Sequence, residues 1–173
     1  LIKNYFKKES LKKSFDKIIN EVSQKCDSKK NTYNVLSKKF VFDFKINDLK
    51  KFKRFNNIAI VEMRFLILLK KLINFFLKHK IKKKVTFFDN LDKEKLNKFK
   101  KGNNTKDCLF IIISKSGNTI ETISNLIELN ILKSNAKNII IITEKKQNIL
   151  NLIAKKYNLF FIEHKNFLGG RYS

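Results

Sequence analysis

Short apolar runs alternate with helical patterns along most of this chain, and this alternation constrains the fold more than any other feature. Five apolar runs predict buried strands, at residues 58–61, 84–88, 108–113, 138–142 and 159–162. The stretches between them predict helices, at residues 65–80, 92–101, 119–132 and 147–157. Strands that are apolar throughout and separated by helices are typical of a parallel sheet covered on both faces. We therefore expect an α/β three-layer sandwich around a five-stranded parallel sheet, preceded by an amphipathic helix over residues 1–24.

The third predicted strand runs into a turn rich in hydroxyl groups, residues 114–119, with the sequence SKSGNT. Ser114, Ser116 and Thr119 supply hydroxyl donors, and Lys115 supplies a positive charge. A helix is predicted directly after the turn, so its free N–H groups and positive dipole end would face the same place. Parallel sheets bind ligands at the carboxyl ends of their strands. The pattern predicts an anion site, with an ordinary polar strand–helix loop as the alternative.

The predicted helices carry signals for where they begin and which face they bury. Asp92 is a possible N-cap of the second helix. Asn118 is a natural N-cap of the third, and Glu121 stands three residues on, the spacing of a capping box. Isoleucines at helical spacing predict the apolar face of that third helix: Ile120, Ile123, Ile127 and Ile131.

The chain is strongly basic, with 39 Lys and Arg against 15 Asp and Glu and a formal net charge of +24. The lysines are spread along its whole length, together with abundant Asn, Ile and Phe and no Pro, a pattern of AT-biased coding. We therefore expect no specific nucleic-acid partner. The first residues lack an apolar signal core, and the apolar run 65–69 is broken by two lysines. No membrane association is predicted, and the expected location is cytoplasmic.

Cysteine and histidine are too few and too scattered to predict a metal site. Cys26 and Cys108 form no metal-ligand spacing and fit a reducing compartment, and Cys108 opens a strand that we expect to be buried. His79 and His164 lie far apart, and we expect both at the surface. No metal and no cofactor is therefore expected.

Two stretches of the chain carry a shared pattern, FIIISKSGNTIETIS and FFIEHKNFLGGRYS. Together, and at their distance from each other, they resemble the glucose-6-phosphate isomerase family, and more broadly the sugar isomerase (SIS) domain. The resemblance implies a flavodoxin-like SIS fold and an aldose–ketose isomerase of glycolysis and gluconeogenesis. Its full-length members have two such domains, interconvert glucose 6-phosphate and fructose 6-phosphate, and form homodimers.

The resemblance also implies roles for individual residues. Those that match the family's contacts to the substrate phosphate are Ser114, Lys115, Ser116 and Thr119. Gly170 and Arg171 match a Gly-Gly-Arg turn beside the sugar, where the arginine stabilises the enediolate formed during proton transfer. A guanidinium suits that role because it is permanently charged and rich in donors. A surface charge is the alternative for Arg171.

The chain departs from the family pattern after the first predicted strand. The family has a Gly-x-Gly-Gly-Ser turn there, and the aligned residues here are Glu62, Met63, Arg64, Phe65 and Leu66. Glu62 would bring a carboxylate towards a phosphorylated sugar, so we expect this turn not to serve the substrate. In the alternative interpretation, Arg64 replaces the lost anion contacts.

The family's general base, a glutamate, matches no position up to Ser173, and the predicted capping role accounts for Glu121. Both ends of the chain look like cuts through a longer gene product. We therefore expect an amino-terminal fragment, with a helical lead-in over residues 1–55 and an SIS domain over residues 56–173. It would bind the sugar phosphate and be inactive alone. The alternative is a non-catalytic sugar-phosphate-binding module of the same fold.

Overall fold

The computed structural model describes residues 8–27, 44–63, 71–72, 74–80 and 82–167. The chain divides into two compact units, Leu1–Phe42 and Asp43–Ser173. In the first unit, helix α1 spans Lys8–Asp27. The amphipathic helix predicted over 1–24 is therefore present from residue 8, and residues 1–7 lie outside the described residues.

The second unit is built on a five-stranded parallel sheet, which confirms the predicted architecture. The strands are β1 Asn57–Val61, β2 Lys84–Phe88, β3 Cys108–Ile113, β4 Ile139–Thr143 and β5 Phe160–Glu163. Their order across the sheet is β2-β1-β3-β4-β5, and every neighbouring pair is parallel. The chain thus leaves β1 in one direction to reach β2 and builds the remaining strands in the other. The carboxyl ends of β1 and β3 form the topological switch point, where sheets of this kind bind ligands.

Helices connect the strands as the sequence predicts. They are α2 Lys93–Gly102, α3 Ile120–Glu128 and α4 Ile149–Lys156, with 3₁₀ helices at Ile46–Phe52 and Thr105–Asp107. Asp92 caps α2 as predicted, because its Oδ1 accepts a hydrogen bond of 2.9 Å from the Lys95 amide. Of the helix predicted over 65–80, residues 71–72 and 74–76 are helical and 77–80 form turns, while 64–70 and 73 lie outside the described residues. No helix of the described part of the chain is long and apolar enough to cross a membrane.

The two faces of the sheet bury separate apolar clusters, because successive side chains of a strand point to opposite faces. On one face, Phe99 of α2 packs edge-on against Phe88 and Phe110, with ring centroids 5.2 and 6.2 Å apart. On the other face the buried members are Phe52, Phe55, Leu109 and Ile140. The sheet is therefore covered on both faces, as expected for a parallel sheet.

The predicted start of α3 is wrong. Thr119, not Asn118, is the N-cap residue, and no side-chain capping bond forms, so the predicted capping box with Glu121 is absent. The Asn118 side chain is engaged elsewhere, because its Oδ1 accepts a hydrogen bond of 2.9 Å from the Ile149 amide at the start of α4. Thr119 is in turn held by a 2.7 Å hydrogen bond between its hydroxyl and that of Ser114.

The predicted apolar face of α3 is also largely wrong. Ile120 and Ile127 are 74% and 64% exposed, whereas Ile123 is half-buried and Ile131 is buried. The side chains that face the sheet are instead Thr122, Asn125, Leu126 and Leu129, each at most 1% exposed. These four positions also follow helical spacing, so the tertiary anchoring of the helix start decided which stripe is buried.

One histidine prediction is wrong, and the cysteine prediction is confirmed. Cys108 is fully buried at the start of β3, and burial raises the pKa of its thiol to about 11. His79 is exposed as predicted. His164 is buried, because its amide donates a 2.9 Å hydrogen bond to the Thr143 carbonyl and so draws the residue onto the end of β4.

Candidate functional site

A cavity of about 400 Å³ opens at the carboxyl edge of the sheet, between the ends of β1, β3 and β4. It therefore lies at the topological switch point that the strand order defines. The residues that line it are Glu62, Met63, Ile113, Ser114, Lys115, Ser116, Thr119, Thr122, Glu144 and Lys146. All four predicted phosphate contacts are among them, so the structure brings these side chains together around one space.

The hydroxyl loop, residues 114–119, gathers three side-chain hydroxyls at the start of α3. The Ser116 hydroxyl oxygen lies 3.5 Å from those of both Ser114 and Thr119. The loop also holds its own backbone, since the amide of Gly117 donates to the Ser114 hydroxyl at 3.2 Å and that of Asn118 donates to the Ser116 hydroxyl at 3.3 Å. The first-turn N–H groups of a helix have no partner within the helix. The loop thus places hydroxyls and helix N–H donors around the same point.

Gly117 lets the hydroxyl loop pass close to the connection between β4 and α4. Its φ of +71° is a left-handed conformation that side chains disfavour, and a Cβ there would lie 2.0 Å from the Asn148 Oδ1 atom. Its carbonyl accepts a 3.0 Å hydrogen bond from the Leu150 amide, and the Asn118 side chain accepts one from the Ile149 amide. The hydroxyl loop is therefore interlocked with the beginning of α4.

A buried carboxylate, Glu144, anchors the two lysines of the site. Its side chain lies 2.5 Å from the Lys146 ammonium and 3.7 Å from that of Lys115. Lys115 also donates a 3.1 Å hydrogen bond to the Asn166 carbonyl beyond β5. The hydrogen bond from Lys146, with further attraction from Lys115 and His164, lowers the pKa of the Glu144 carboxyl below 4.5 despite its burial.

This ion pairing predicts a pH dependence of stability. A carboxyl whose folded-state pKa is lowered contributes stability above its unfolded pKa and loses it as the pH falls through the folded value. Glu144→Gln should therefore reduce the free energy of unfolding at pH 7, with a difference from the wild type that shrinks below about pH 4.5. Urea unfolding at pH 7, 5 and 3 measures it.

Glu94→Gln is the matched control for that measurement. Glu94 pairs with Lys98 at 2.7 Å, but both side chains are more than three-quarters exposed, and such pairs contribute little. A loss of stability for Glu144→Gln that is equal at all three pH values would contradict the role given to this ion pair.

Glu62, which stands where the family has a glycine, lines the cavity, as the sequence comparison with the family pattern predicted. It is 3% exposed, and its amide donates a 3.0 Å hydrogen bond to the Phe88 carbonyl at the end of β2. With Glu62 and Glu144 against Lys115 and Lys146, the formal charges of the lining side chains cancel. Attraction for an anion would therefore come from the hydroxyls and from the end of α3 rather than from net charge.

Several residues of the site were not identified from the sequence. Glu144 and Lys146 directly follow β4. Because the carboxyl ends of parallel strands meet at one edge of the sheet, their position could have indicated that they lie at the site. Thr122 lies one helical turn after Thr119, a spacing that could have indicated it too. Other predicted residues, namely Gly170, Arg171, Arg64, Phe65 and Leu66, lie outside the described residues.

The parallel sheet with order β2-β1-β3-β4-β5 and a hydroxyl loop at its switch point define this unit as a doubly wound α/β domain. The family model described as phosphoglucose isomerase matches residues 19–173. The chain belongs to the phosphoglucose isomerase family.

Curated relatives carry matching names. The glucose-6-phosphate isomerase of Borreliella burgdorferi strain ZS7 is 37% identical over 93 residues, which cover 50% of this chain and 17% of that protein. The probable glucose-6-phosphate isomerase of Methanococcus maripaludis is 34% identical over 95 residues, which cover 52% of this chain and 21% of that protein. The matched part thus spans about a fifth of the length of these relatives.

Two solved structures share the fold. A hypothetical protein from Thermus thermophilus superposes with a TM-score of 0.61 at 19% identity, over 73% of this chain and 31% of that one. A glucose-6-phosphate isomerase from Chlamydia trachomatis gives a TM-score of 0.59 at 20% identity, over 71% of this chain and 25% of that one. At these identities the likeness concerns the fold alone.

Proposed function

We propose that this chain holds the phosphate group of glucose 6-phosphate or fructose 6-phosphate in its hydroxyl loop. The observation that carries the proposal is the convergence of Ser114, Ser116 and Thr119 at the start of α3, in a cavity at the switch point. A phosphate offers many acceptor oxygens, so fixed hydroxyls, helix N–H groups and a nearby ammonium can hold it in one orientation. Membership of the phosphoglucose isomerase family supports the choice of sugar phosphate.

We further propose that the chain does not catalyse the isomerisation alone. Moving a proton between adjacent carbons needs a base whose pKa lies near the working pH. Glu144 is ill suited, because the hydrogen bond from Lys146 lowers its pKa. Where the family's other catalytic groups are present, Arg171 would stabilise the enediolate and Gly170 would let the backbone approach the sugar.

The remaining expectations belong to the same proposal. They are a lead-in over residues 1–55 with an SIS domain over 56–173, homodimerisation at full length, a cytoplasmic location, no membrane association and no specific nucleic-acid partner. Similarity to relatives named glucose-6-phosphate isomerase supports the expected location. The spread of the lysines along the whole chain supports the absence of a specific nucleic-acid partner. Non-specific attraction of the basic chain to DNA would disappear at moderate salt.

Ligand-induced stabilisation tests the binding function. Thermal and urea unfolding of the whole chain should show stabilisation by glucose 6-phosphate and by inorganic phosphate, but none by glucose at equal concentration. A ligand present at about 100 times its Kd adds about 2.7 kcal/mol. Equal effects of glucose and glucose 6-phosphate would reject the phosphate site, and absence of any effect would reject binding.

A coupled assay tests the proposed lack of catalysis. Fructose 6-phosphate is supplied to the purified chain, and formation of glucose 6-phosphate is followed with a dehydrogenase. We expect no rate above the background without the chain. Turnover in the usual enzyme range, about 1–10³ per second, would overturn this part of the proposal.

Removing the cavity carboxylate should strengthen phosphate binding. Glu62→Gln keeps the size and polarity of the buried side chain but removes a negative charge from the lining. We expect the Kd for glucose 6-phosphate to fall about tenfold, measured by calorimetry. Glu163→Gln is the control, because Glu163 ends β5 at the same edge without lining the cavity. Weaker binding by Glu62→Gln would show instead that the carboxylate accepts a hydrogen bond from the ligand.

A further inference from the structure

Thr122 stands out among the residues that line the cavity. It lies in the first turn of α3, its side chain is fully buried, and its hydroxyl oxygen has no hydrogen-bond partner within the described part of the chain. A buried hydroxyl without a partner is costly, and such groups are rare in folded proteins. At a cavity wall, such a hydroxyl is a candidate contact for a bound group.

The usual structural explanation for a threonine inside a helix does not apply. Its hydroxyl commonly bonds to a carbonyl three or four residues earlier, here that of Thr119 or Asn118, and Thr122 makes no such bond. Asn125 is the other α3 residue with an unpaired buried atom, but its amide nitrogen bonds to the Asn90 carbonyl and it lines a different cavity. Thr122 is therefore the orphaned group that faces the hydroxyl loop.

The geometry of the helix directs this hydroxyl towards the loop. Residues three apart lie on the same face of a helix, so Thr122 lies on the same face as Thr119, one turn further from the loop. Side chains tilt towards the helix N-terminus, so the Thr122 side chain leans towards the end of α3 at which the hydroxyls of Ser116 and Thr119 lie 3.5 Å apart. The Thr119 hydroxyl is partly engaged by that of Ser114 at 2.7 Å, whereas the hydroxyl of Thr122, buried in the cavity wall, has no hydrogen bond to give up when a ligand binds.

We propose that the Thr122 hydroxyl donates a hydrogen bond to an oxygen of the bound phosphate, as a fourth hydroxyl of the site. The inference rests on the proposed function, since it names a further contact to the same ligand. It explains why a polar side chain occupies a fully buried position that an isosteric valine would fill without an unpaired hydroxyl.

Thr122→Val and Thr122→Ser form a matched pair for the test. Valine has the shape of threonine without the hydroxyl, and serine retains the hydroxyl. Calorimetric titration of the whole chain with inorganic phosphate and with glucose 6-phosphate gives the Kd values, and urea unfolding without ligand reports stability. We expect Thr122→Val to weaken both ligands about tenfold with no loss of stability, and Thr122→Ser to stay within about threefold of the wild type.

The outcomes separate this inference from the function on which it rests. If the wild-type chain binds neither ligand, the proposed function fails. If the wild type binds and Thr122→Val binds equally well, the inference is overturned while the proposed function stands. Weakening of glucose 6-phosphate alone would place the contact on the sugar and overturn the assignment to the phosphate. A loss of stability in Thr122→Val without a change in Kd would show that the hydroxyl is structural.

Discussion

Gly117→Ala is expected to lower the free energy of unfolding by about 3 kcal/mol or more and to abolish ligand binding. Two costs add up at this position. The backbone has φ +71°, and the new Cβ would meet the Asn148 Oδ1 atom at 2.0 Å and the Thr143 Oγ1 atom at 2.6 Å. Asn148 cannot turn away freely, because its side chain accepts a hydrogen bond from the Asn151 amide and so caps α4. Urea unfolding measures the loss.

Gly102→Ala provides the control, because nothing lies within 4 Å of a Cβ built at Gly102 and the residue ends helix α2. Alanine favours a helix over glycine by about 0.5–1 kcal/mol, so this variant should equal or exceed the wild type in stability. Similar stabilities of the two variants would contradict the close approach of the hydroxyl loop to Asn148.

The double variant Ser116→Ala/Thr119→Ala should weaken binding of glucose 6-phosphate by a factor of about a hundred or more. Each hydroxyl that bonds to a charged ligand contributes about 1.5–3 kcal/mol, and the variant removes two of them. Stability should fall by about 1 kcal/mol as well, because Ser114 is buried and loses its 2.7 Å hydrogen bond with Thr119. Calorimetry with glucose 6-phosphate, beside urea unfolding without ligand, separates the two effects.

Ser134→Ala/Thr105→Ala removes the same number of hydroxyls at the opposite edge of the sheet, before β4 and β3. It should leave the affinity unchanged within about twofold, since neither residue lines the cavity. Retained binding by the site variant, or an equal loss in the control, would exclude the hydroxyl loop as the phosphate site.

The sequence sufficed to predict the sheet because each strand is a short apolar run bounded by polar residues. The predicted bounds 84–88 and 108–113 are those of β2 and β3. The clustering of the loop hydroxyls was also predictable, since Ser114, Ser116 and Thr119 follow one strand directly. The existence of each strand and the clustering of the loop hydroxyls both depend on residues close together in the chain.

The mispredicted features depend on neighbours distant in the chain. Asn118 has the local pattern of a cap for α3, but its acceptor atom serves Ile149, 31 residues later. The isoleucine spacing of α3 predicted a buried stripe, yet Thr122 takes the buried place and Ile120 faces outward. His164 is buried because its amide pairs with the end of β4, a contact that local sequence does not record.

The hydrogen bonds between the hydroxyl loop and the start of α4 link the stability of that helix to the order of the loop. The carbonyl of Gly117 and the side chain of Asn118 accept hydrogen bonds from the first two amides of α4, although no residue of α4 that the structure describes lines the cavity. Opening of the first turn of α4 would therefore break hydrogen bonds that hold the hydroxyl loop in place. By linkage, a ligand that binds only the ordered loop would raise the free energy of fraying α4, and a substitution that frays this end of α4 in most molecules would weaken the ligand. The first turn of α4 would thus influence the affinity of a cavity to whose lining the described residues of α4 do not contribute.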